Sequence, residues 1–535
     1  MIPPSPARTG RPVRFAVCLL VFAGCAALLF LDHIQYFSLP YFWDELGQFV
    51  PSALDILRDG AWVPHSAVPN AHPPGVMAYL ALVWSVFGYS IPATRAAMLA
   101  LASALVFVSF LLANRLSRGT SHTAAYLAIL LLVADPLFHA QAMMAQLDMP
   151  AALFSTLALL LFLNDRQGWA VAVCTLLVLT KETGVVVPLI FAALLWRDRR
   201  RAAAAGYGIP FIALLAWFAY LRHVTGYLFG DSGFTHYNLA YPLNPIRIAV
   251  SLLRRAYYLF FADFRWIGSV AIWLAWSRAR FFRSREWTVA GLAFLGQVLL
   301  VTVLGGAALE RYLLPALPIL YIAVAESWMG LTRRWRFLSA AAMTAGLILG
   351  WFLNPPFPFP YENNLAMTDF VRLQKDAAGY LEQHDARETV YTAWPFTAAL
   401  RTPEFGYVRG RIKTRETSDL RASTLRRLSS EPVQVLVLYS RTWDPPWSVL
   451  RIPLVERFLE RFYDYEPQLN ASQARQWLGL ERSARWERGG QWIEVYEHAG
   501  KQANRSGMPS TQEDSGRPSR PPSARPPQSV PFHRS

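Results

Sequence analysis

Apolar residues in this chain are gathered into long runs, each bounded by charged residues or by proline and glycine. The clearest runs cover residues 13–31, 91–113, 122–132, 207–221, 287–304 and 337–353. A helix needs about 20 apolar residues to cross the hydrocarbon of a bilayer, and most of these runs approach that length. The pattern therefore predicts a polytopic α-helical membrane protein.

Composition and charge agree with this prediction. Apolar residues make up 54% of the 535 positions, and the mean hydropathy is +0.24. The formal net charge is +15, but most arginines stand in short clusters between the apolar runs, which is a sign of membrane topology and not of nucleic acid binding. Cys18, Cys25 and Cys174 all lie inside apolar runs, so neither a disulfide framework nor a cysteine metal cluster is indicated.

The arginine clusters also predict how the chain is threaded. They can all face the cytoplasm if the chain crosses about eleven times and the short run 75–87, which follows two prolines, lies on or dips into the outer surface. The runs on either side of Lys181 and Glu182 are each too short for a full span, so this turn is expected within membrane depth. We expect residues 1–353 to form a multi-pass unit in the inner (plasma) membrane, with the chain leaving it on the outer side.

The composition changes after residue 353. Residues 354–360 form a linker rich in proline and phenylalanine, and residues 361–500 resemble a soluble, extracytoplasmic α/β domain. Within that domain, helices are predicted near 369–384 and 414–428, and strands near 389–392, 433–439 and 492–496. From residue 501 to 535, serine, proline and arginine dominate, which predicts a disordered tail.

Acidic residues on the predicted outer side are the first candidates for chemistry. Asp44 and Glu45 follow the first span in Tyr-Phe-Trp-Asp-Glu, and Asp148 lies in Gln-Leu-Asp-Met-Pro at the mouth of a later span. A carboxylate beside a dry cleft can act as a general base. The alternative is that these residues are interfacial groups or helix caps.

Basic residues form the second group of candidates. His72 is fixed by the two prolines that follow it, although His-Pro-Pro also suits a simple helix start. Lys181 at membrane depth could meet a phosphate, or could only pair with Glu182. Arg311, in Glu-Arg-Tyr before Leu-Leu-Pro, could grip a phosphate or snorkel to the interface.

Together, these motifs resemble the GT-C glycosyltransferases that use polyprenyl-phosphate sugars, a group that includes the lipid A aminoarabinose transferase and the protein O-mannosyltransferases. The resemblance covers about residues 12–353. It rests on the order of five short motifs: Asp-Glu in the first outer loop, His-Pro-Pro, Leu-Asp-Met-Pro, Lys-Glu, and Arg-Tyr-Leu-Leu-Pro. Each motif is weak alone, but all five lie on the predicted outer side.

The resemblance implies a role for each motif. Asp44 would be the catalytic base with Glu45 beside it, and Asp148 would position the acceptor or the basic groups. His72, Lys181 and Arg311 would lie near the donor phosphate, with Glu182 and Tyr312 adjoining them.

The implied reaction is an inverting hexosyl or pentosyl transfer from a polyprenyl-phosphate sugar to a hydroxyl of a lipid, glycan or protein. No cofactor is implied, and the spacing of histidines, cysteines and carboxylates indicates no metal.

Two other classes of protein remain open from the sequence. A transporter or flippase for lipid-linked glycans should show inverted halves and charges along a path through the membrane, whereas these ionisable residues gather on one side. A noncatalytic scaffold that displays the α/β unit would leave the motif series unexplained. Three further basic residues of the predicted outer loop match no motif: His236, Arg254 and Arg255. Of these, Arg254 and Arg255 are candidates for contacts with lipid head groups.

Overall fold

The computed structural model describes residues 15–117, 122–278, 280–306, 309–355, 357–443 and 449–498. The predicted disordered tail, residues 501–535, lies outside the described residues. The described chain consists of a long helical part followed by a small sheet with helices around it. This arrangement confirms the expected polytopic helical class with a C-terminal α/β unit.

The helical part contains α-helices of very unequal length. They are Phe15–His33, Val50–Asp59, Gly75–Phe87, Ile91–Leu116, Thr123–Ala134, Pro136–Gln141, Asp148–Leu163, Gln167–Thr180, Val186–Arg197, Arg201–Gly206, Gly208–Thr225, Ser232–Thr235, Pro245–Phe260, Arg265–Arg278, Arg285–Val303, Leu317–Met329 and Arg333–Leu349. Short 3₁₀ segments cover Ile34–Tyr36, Glu182–Val185, Ala262–Phe264, Arg280–Arg283 and Glu310–Ala316. Two π-helical turns cover Glu45–Phe49 and His236–Ala240.

Several of these helices are long and apolar enough to cross a bilayer. By length and composition, five qualify among the described residues, and a sixth is reached if the bent pair Pro245–Phe260 and Ala262–Trp276 counts as one span. The five are Leu19–Tyr36, Ile91–Leu116, Arg201–Thr225, Arg285–Val303 and Glu310–Met329. Shorter apolar helices account for the rest of the predicted runs, so the count of about eleven crossings stays a prediction.

Both of the short features predicted near the outer surface are present. The run after His-Pro-Pro is a 13-residue helix, Gly75–Phe87. Gln167–Thr180 and Val186–Arg197 are separated by the 3₁₀ turn that carries Glu182. Gly75 lies so close to the carbonyl oxygen of Leu179 that a Cβ atom there would overlap it. This close approach packs the His-Pro-Pro segment against the Lys-Glu turn.

The charged interruption at Asp263 and Arg265 has a structural explanation. The backbone at Asp263 and Phe264 is left-handed, with φ of 50° and 64°, which separates Pro245–Phe260 from Arg265–Arg278. The Arg265 guanidinium is buried, with its Nη2 2.6 Å from Oδ2 of Asp135 and its Nη1 2.8 Å from Oδ2 of Asp263. A buried charge is tolerated when it is paired, so this arginine is held within the helical part without exposure to lipid.

The C-terminal sheet has five strands, which we number β1 (Val390–Ala393), β2 (Thr414–Thr417), β3 (Val435–Tyr439), β4 (Leu480–Arg488) and β5 (Gln491–His498). Their order is β2-β1-β3-β5-β4, with β1 parallel to β2 and β3, and β5 antiparallel to β3 and β4. The helices of this unit are Ala366–His384, Phe396–Arg401, Ala422–Arg426, Pro453–Tyr463 and Ala471–Leu478, with 3₁₀ turns at Tyr361–Asn363, Pro403–Phe405, Arg427–Ser430 and Val449–Arg451.

Most elements predicted for this unit are present, but the helix predicted over 414–428 is wrong in its first part. Residues 414–417 form the edge strand β2, whose sequence Thr-Arg-Glu-Thr has only one buried residue and so lacks an apolar signal. The helix there is short, Ala422–Arg426. Strand β4 was not predicted, because five of its nine residues are charged and only one is buried.

The C-terminal unit packs on the segment that follows the first helix, Phe15–His33. The indole of Trp43 lies among the rings of Phe370, Trp394 and Tyr439. A Cβ atom at Gly47 would overlap the Trp394 ring, so glycine permits this contact. The segment that carries Asp44 is therefore enclosed between the helical part and the C-terminal unit.

Candidate active site

Arg311 is the centre of a buried ionic network that draws on four separate parts of the chain. Its Nη2 pairs with Asp44, and its Nη1 contacts Gln146 and lies 3.0 Å from Oε2 of Glu362. Its Nε is 3.3 Å from Oδ2 of Asp148. The arginine side chain is only 5% exposed. We call these residues, together with Lys181, the Arg311 junction.

Lys181 gives the junction its second cation. Its Nζ pairs with Oδ1 of Asp148, which therefore lies between the two cations. The same Nζ lies 4.1 Å from the centroid of the Tyr312 ring, a cation–π distance. Tyr312 in turn fits against Gly305, where a Cβ atom would come within 2.9 Å of the ring. The sequence prediction that Lys181, Arg311 and Tyr312 share one place is consistent with this geometry.

Asp44 is the accessible carboxylate of the junction. Its side chain is 21% exposed, whereas those of Asp148 and Glu362 are each 4% exposed. The preceding residue, Trp43, has a φ of 43°, a left-handed conformation that a bulky residue adopts only under strain. The π-helical turn Glu45–Phe49 follows directly. This irregular backbone, fixed by the packing of Trp43, holds Asp44 toward Arg311.

His72 and Glu182 form a neighbouring pair. Nδ1 of His72 lies 2.9 Å from Oε2 of Glu182, and both side chains are about one-fifth exposed. Because Glu182 follows Lys181 directly, this pair stands next to the junction. Glu182 therefore pairs with His72, and Lys181 pairs with Asp148, so the alternative of an isolated Lys181–Glu182 pair does not hold.

Glu45 is placed apart from the junction, although it adjoins Asp44 in the sequence. Its fully buried carboxylate pairs with Arg95 and accepts hydrogen bonds from the backbone N–H groups of Ala145 (2.6 Å) and Phe42 (2.9 Å). Nη1 of Arg95 also donates to the carbonyl oxygen of Met143, and its Nη2 donates to those of Leu39 and Pro40. This arrangement suits a structural link between two outer loops better than the catalytic role that the resemblance implied.

Replacing Glu45 by glutamine is expected to reduce stability rather than turnover. The change leaves the Arg95 guanidinium buried without a full counter-charge, and breaking a buried pair costs about 3–5 kcal/mol. The measurement is the thermal midpoint of the purified protein in detergent, with the activity of the folded fraction recorded in parallel. Asp59→Asn, at an exposed position of the same loop, is the control. A normal midpoint with lost activity would restore a catalytic role to Glu45.

Sequence reasoning missed two members of the junction, Gln146 and Glu362. Gln146 stands within the Gln-Leu-Asp-Met-Pro motif, two residues before Asp148. Glu362 belongs to the C-terminal unit, directly after the proline-rich linker, and no periodicity or motif marks it. Nε2 of Gln141 donates to the backbone carbonyl oxygen of Glu362 at 3.1 Å, and Nε2 of Gln146 donates to its carboxylate at 3.4 Å. The C-terminal unit thus contributes directly to the site.

Burial raises the pKa of Glu362 to about 7, against the lowering effect of Arg311. With Glu362 ionised, the junction holds three carboxylates and two cations. With Glu362 protonated, it holds two of each. The protonated form therefore leaves Arg311 and Lys181 more able to accept another anion.

This pKa predicts a pH-dependent stability. A carboxyl group whose pKa is higher in the folded chain stabilises the fold at low pH, and that contribution is lost as the pH rises from about 4.5 through 7. The free energy of unfolding of the wild type should therefore fall across this window relative to that of Glu362→Gln, by on the order of 3 kcal/mol at most, and its thermal midpoint should fall with it. Parallel curves for the two proteins between pH 4.5 and 8 would contradict the assignment.

Arg254 and Arg255, which match no motif, have protein partners. Arg254 forms a two-point pair with Glu310, one contact being 2.9 Å, and Arg255 donates to the carbonyl oxygens of Val301 (2.6 Å) and Leu309 (3.3 Å). These contacts argue against a primary role in binding lipid head groups. His236 is the first residue of the π-helical turn His236–Ala240. The residue after it, Tyr237, lies close to Gly306.

A cavity of about 350 Å³ opens at the Arg254–Glu310 ion pair. It lies between the loop helix Pro245–Phe260, the helix Pro453–Tyr463 and the end of Arg285–Val303. Arg254 in its wall pairs with Glu310, the residue before Arg311. The cavity is therefore connected to the junction through one ion pair. Most of its lining is apolar or aromatic, including Val250, Phe357 and Phe458.

Comparison with solved structures gives a match over most of the chain. ArnT from Cupriavidus metallidurans bound to undecaprenyl phosphate aligns with a TM-score of 0.53 at 14% identity, over 90% of this chain and 98% of ArnT. The apo state of the same protein gives a TM-score of 0.52 with the same identity and coverage. The chain has the GT-C fold.

The expected GT-C architecture is thus confirmed at the level of the fold. The archaeal oligosaccharyltransferase AglB from Archaeoglobus fulgidus, in complex with an inhibitory peptide and a dolichol-phosphate, aligns at a TM-score of 0.47 and 12% identity, over 79% of this chain and 69% of AglB. The sequence matches no family model, and no curated protein matches it.

Proposed function

We propose that the chain is a membrane glycosyltransferase that transfers a sugar from a polyprenyl-phosphate donor to an acceptor hydroxyl at the Arg311 junction. The observation that carries this proposal is an accessible carboxylate, Asp44, paired with Arg311 in a network that holds a second buried cation, Lys181, on a GT-C fold. ArnT, which shares the fold, is described with undecaprenyl phosphate bound. A lipid phosphate is therefore a suitable ligand for this junction.

Arg311 and Lys181 would bind the phosphate of the donor. A guanidinium presents two parallel donors to phosphate oxygens, and an ammonium adds a compact charge. The incoming phosphate would compete with Asp44 for Nη2 of Arg311. Its binding would thus free the Asp44 carboxylate at the moment when the donor is in place. Asp148, held between the two cations, would keep both in position.

The reaction follows from these positions. Asp44 accepts the proton of the acceptor hydroxyl as the oxygen attacks the anomeric carbon, and the bond from that carbon to the phosphate oxygen breaks. The lipid phosphate leaves with an additional negative charge, which Arg311 and Lys181 stabilise. A single displacement inverts the anomeric configuration. The transferred sugar is a hexose or a pentose.

The competing function is a flippase for lipid-linked glycans. The test uses proteoliposomes with a fluorescent polyprenyl-phosphate sugar and a panel of hydroxyl acceptors. If the protein transfers sugar, a new glycoside should appear. Its anomeric configuration, read by NMR, should be inverted relative to that of the donor. Movement of intact donor between leaflets, without any product, would support the flippase and overturn the proposal. A product with retained configuration would overturn the single displacement alone.

A further inference from the structure

A second cluster of ionisable groups lies at the end of the first span. Oδ2 of Asp32 is 3.4 Å from Nδ1 of His33 and 3.2 Å from Nδ1 of His139. The side chains of His33 and His139 are 0% and 2% exposed, whereas that of Asp32 is 43% exposed. His139 is 106 positions from His33 in the sequence, which is why the spacing indicated no metal site. Helix packing brings them together.

Their separations agree with those of metal ligands. In a tetrahedral zinc site with metal–ligand bonds of about 2.0–2.1 Å, ligand atoms lie about 3.3–3.4 Å from one another. The two Asp32 distances bracket that value closely, and the three ligand atoms all lie within 4.8 Å of one another. Nδ1 of His139 is buried and has no hydrogen-bond partner among the described residues. A buried nitrogen that lies beside a carboxylate and has no hydrogen-bond partner points to a missing ligand.

Nε2 of His33 lies at a backbone carbonyl oxygen, as the outer nitrogen of a metal-binding histidine commonly does. Nε2 lies 3.0 Å from the carbonyl oxygen of His139, and Nδ1 lies 2.9 Å from that of Leu29. A neutral imidazole has only one N–H, so it can donate to one of these two oxygens. A histidine that binds a metal commonly donates its other N–H to a backbone carbonyl. With the proton on Nε2, the lone pair of Nδ1 is available to a cation.

The ring of His139 is also fixed in place. It stacks on the indole of Trp351 with a centroid distance of 3.7 Å and an interplanar angle of 10°. The indole N–H donates to the carbonyl oxygen of Ala134 at 2.8 Å. The ligand atoms are thus largely pre-positioned, and the exposed side of Asp32 offers a route for a metal ion and a water molecule.

We propose that Asp32 Oδ2, His33 Nδ1 and His139 Nδ1 bind a divalent transition metal of the zinc class, with water as the fourth ligand. Bound metal links the first span to the helix Pro136–Gln141. Gln141 at the end of that helix contacts the backbone of Glu362. The site therefore stabilises the loop beside the Arg311 junction, and its ligands are positioning residues that do not touch the substrates.

The test is metal titration of the full chain, purified in detergent and stripped with a chelator. Co²⁺ should bind at one equivalent with visible absorption bands that indicate nitrogen and oxygen ligands, and Zn²⁺ should displace it. His139→Asn should weaken Zn²⁺ binding by at least about 100-fold. Asp32→Asn changes the partly exposed ligand and should weaken Zn²⁺ binding as well. It provides a second test of the site in case His139→Asn does not fold.

The chain offers a matched control in a second group of acids and histidine, Asp55, Asp59 and His65, whose members are mostly exposed. His65→Asn should leave the titration unchanged. The proposal would be overturned if the wild type did not bind one equivalent of metal. It would also be overturned if binding were lost only in His65→Asn. Because these readouts do not use sugar transfer, failure here is distinguishable from failure of the proposed glycosyltransferase.

Discussion

Asp44→Asn is expected to reduce sugar transfer by at least about 10²-fold while the protein stays folded. A positioned general base contributes about 10²–10⁴-fold to a reaction rate, and Asp44 is the accessible carboxylate of the Arg311 junction. Asparagine keeps the size of the side chain and can still accept a hydrogen bond from Arg311. The measurement is the initial rate of transfer at saturating donor, together with the thermal midpoint.

The control for Asp44→Asn is Asp59→Asn, which removes an acid from the same outer loop at an exposed position. It should retain wild-type transfer and a wild-type midpoint. If Asp44→Asn transfers sugar within tenfold of the wild type, Asp44 is not the base. Asp148 is then the next candidate, although its carboxylate is buried between two cations.

Arg311→Gln should affect both stability and transfer. It leaves Asp44, Asp148 and Glu362 without their shared cation, and removal of one member of a buried pair costs about 3–5 kcal/mol. Transfer should fall below detection, because the departing phosphate loses its two-point contact. The measurements are the thermal midpoint and the rate, each compared with those of Arg58→Gln. Arg58 forms an exposed pair with Glu404, and exposed pairs contribute at most about 1 kcal/mol.

A double variant separates these two effects. Adding Glu362→Gln to Arg311→Gln removes one of the carboxylates left unpaired, so part of the lost stability should return. Transfer should not return, because the phosphate contact is still missing. Recovery of transfer in the double variant would mean that Arg311 serves the fold alone and would contradict its proposed contact with the donor.

Local sequence patterns were sufficient to predict the membrane class, the helix at 75–87 and the break at Lys181. Each depends on hydropathy or proline over a short window, and the structure shows the helices and the turn at those places. The order of motifs was sufficient to predict that Asp44, Asp148, Lys181 and Arg311 belong together. They share one network although as many as 267 positions separate Asp44 from Arg311.

Features that depend on tertiary contacts were not predictable. Glu362 enters the site because the C-terminal unit packs on the segment that follows the first helix, and nothing in Tyr-Glu-Asn-Asn indicates a buried partner for Arg311. Glu45 adjoins Asp44, yet the π-helical turn directs its carboxylate toward Arg95. Arg95 itself had a signal, because an arginine within an apolar helix requires a partner or a function. The edge strands β2 and β4 are polar, so hydropathy did not reveal them.

The most direct test of the account is the fate of the donor in proteoliposomes. With a polyprenyl-phosphate sugar labelled in both the sugar and the lipid, the wild type should release one free polyprenyl phosphate for each sugar that appears on an acceptor hydroxyl. Asp44→Asn should lose both products together. If the donor stays intact with the wild type, or if it is consumed equally with wild type and Asp44→Asn, the Arg311 junction is not a glycosyl-transfer site.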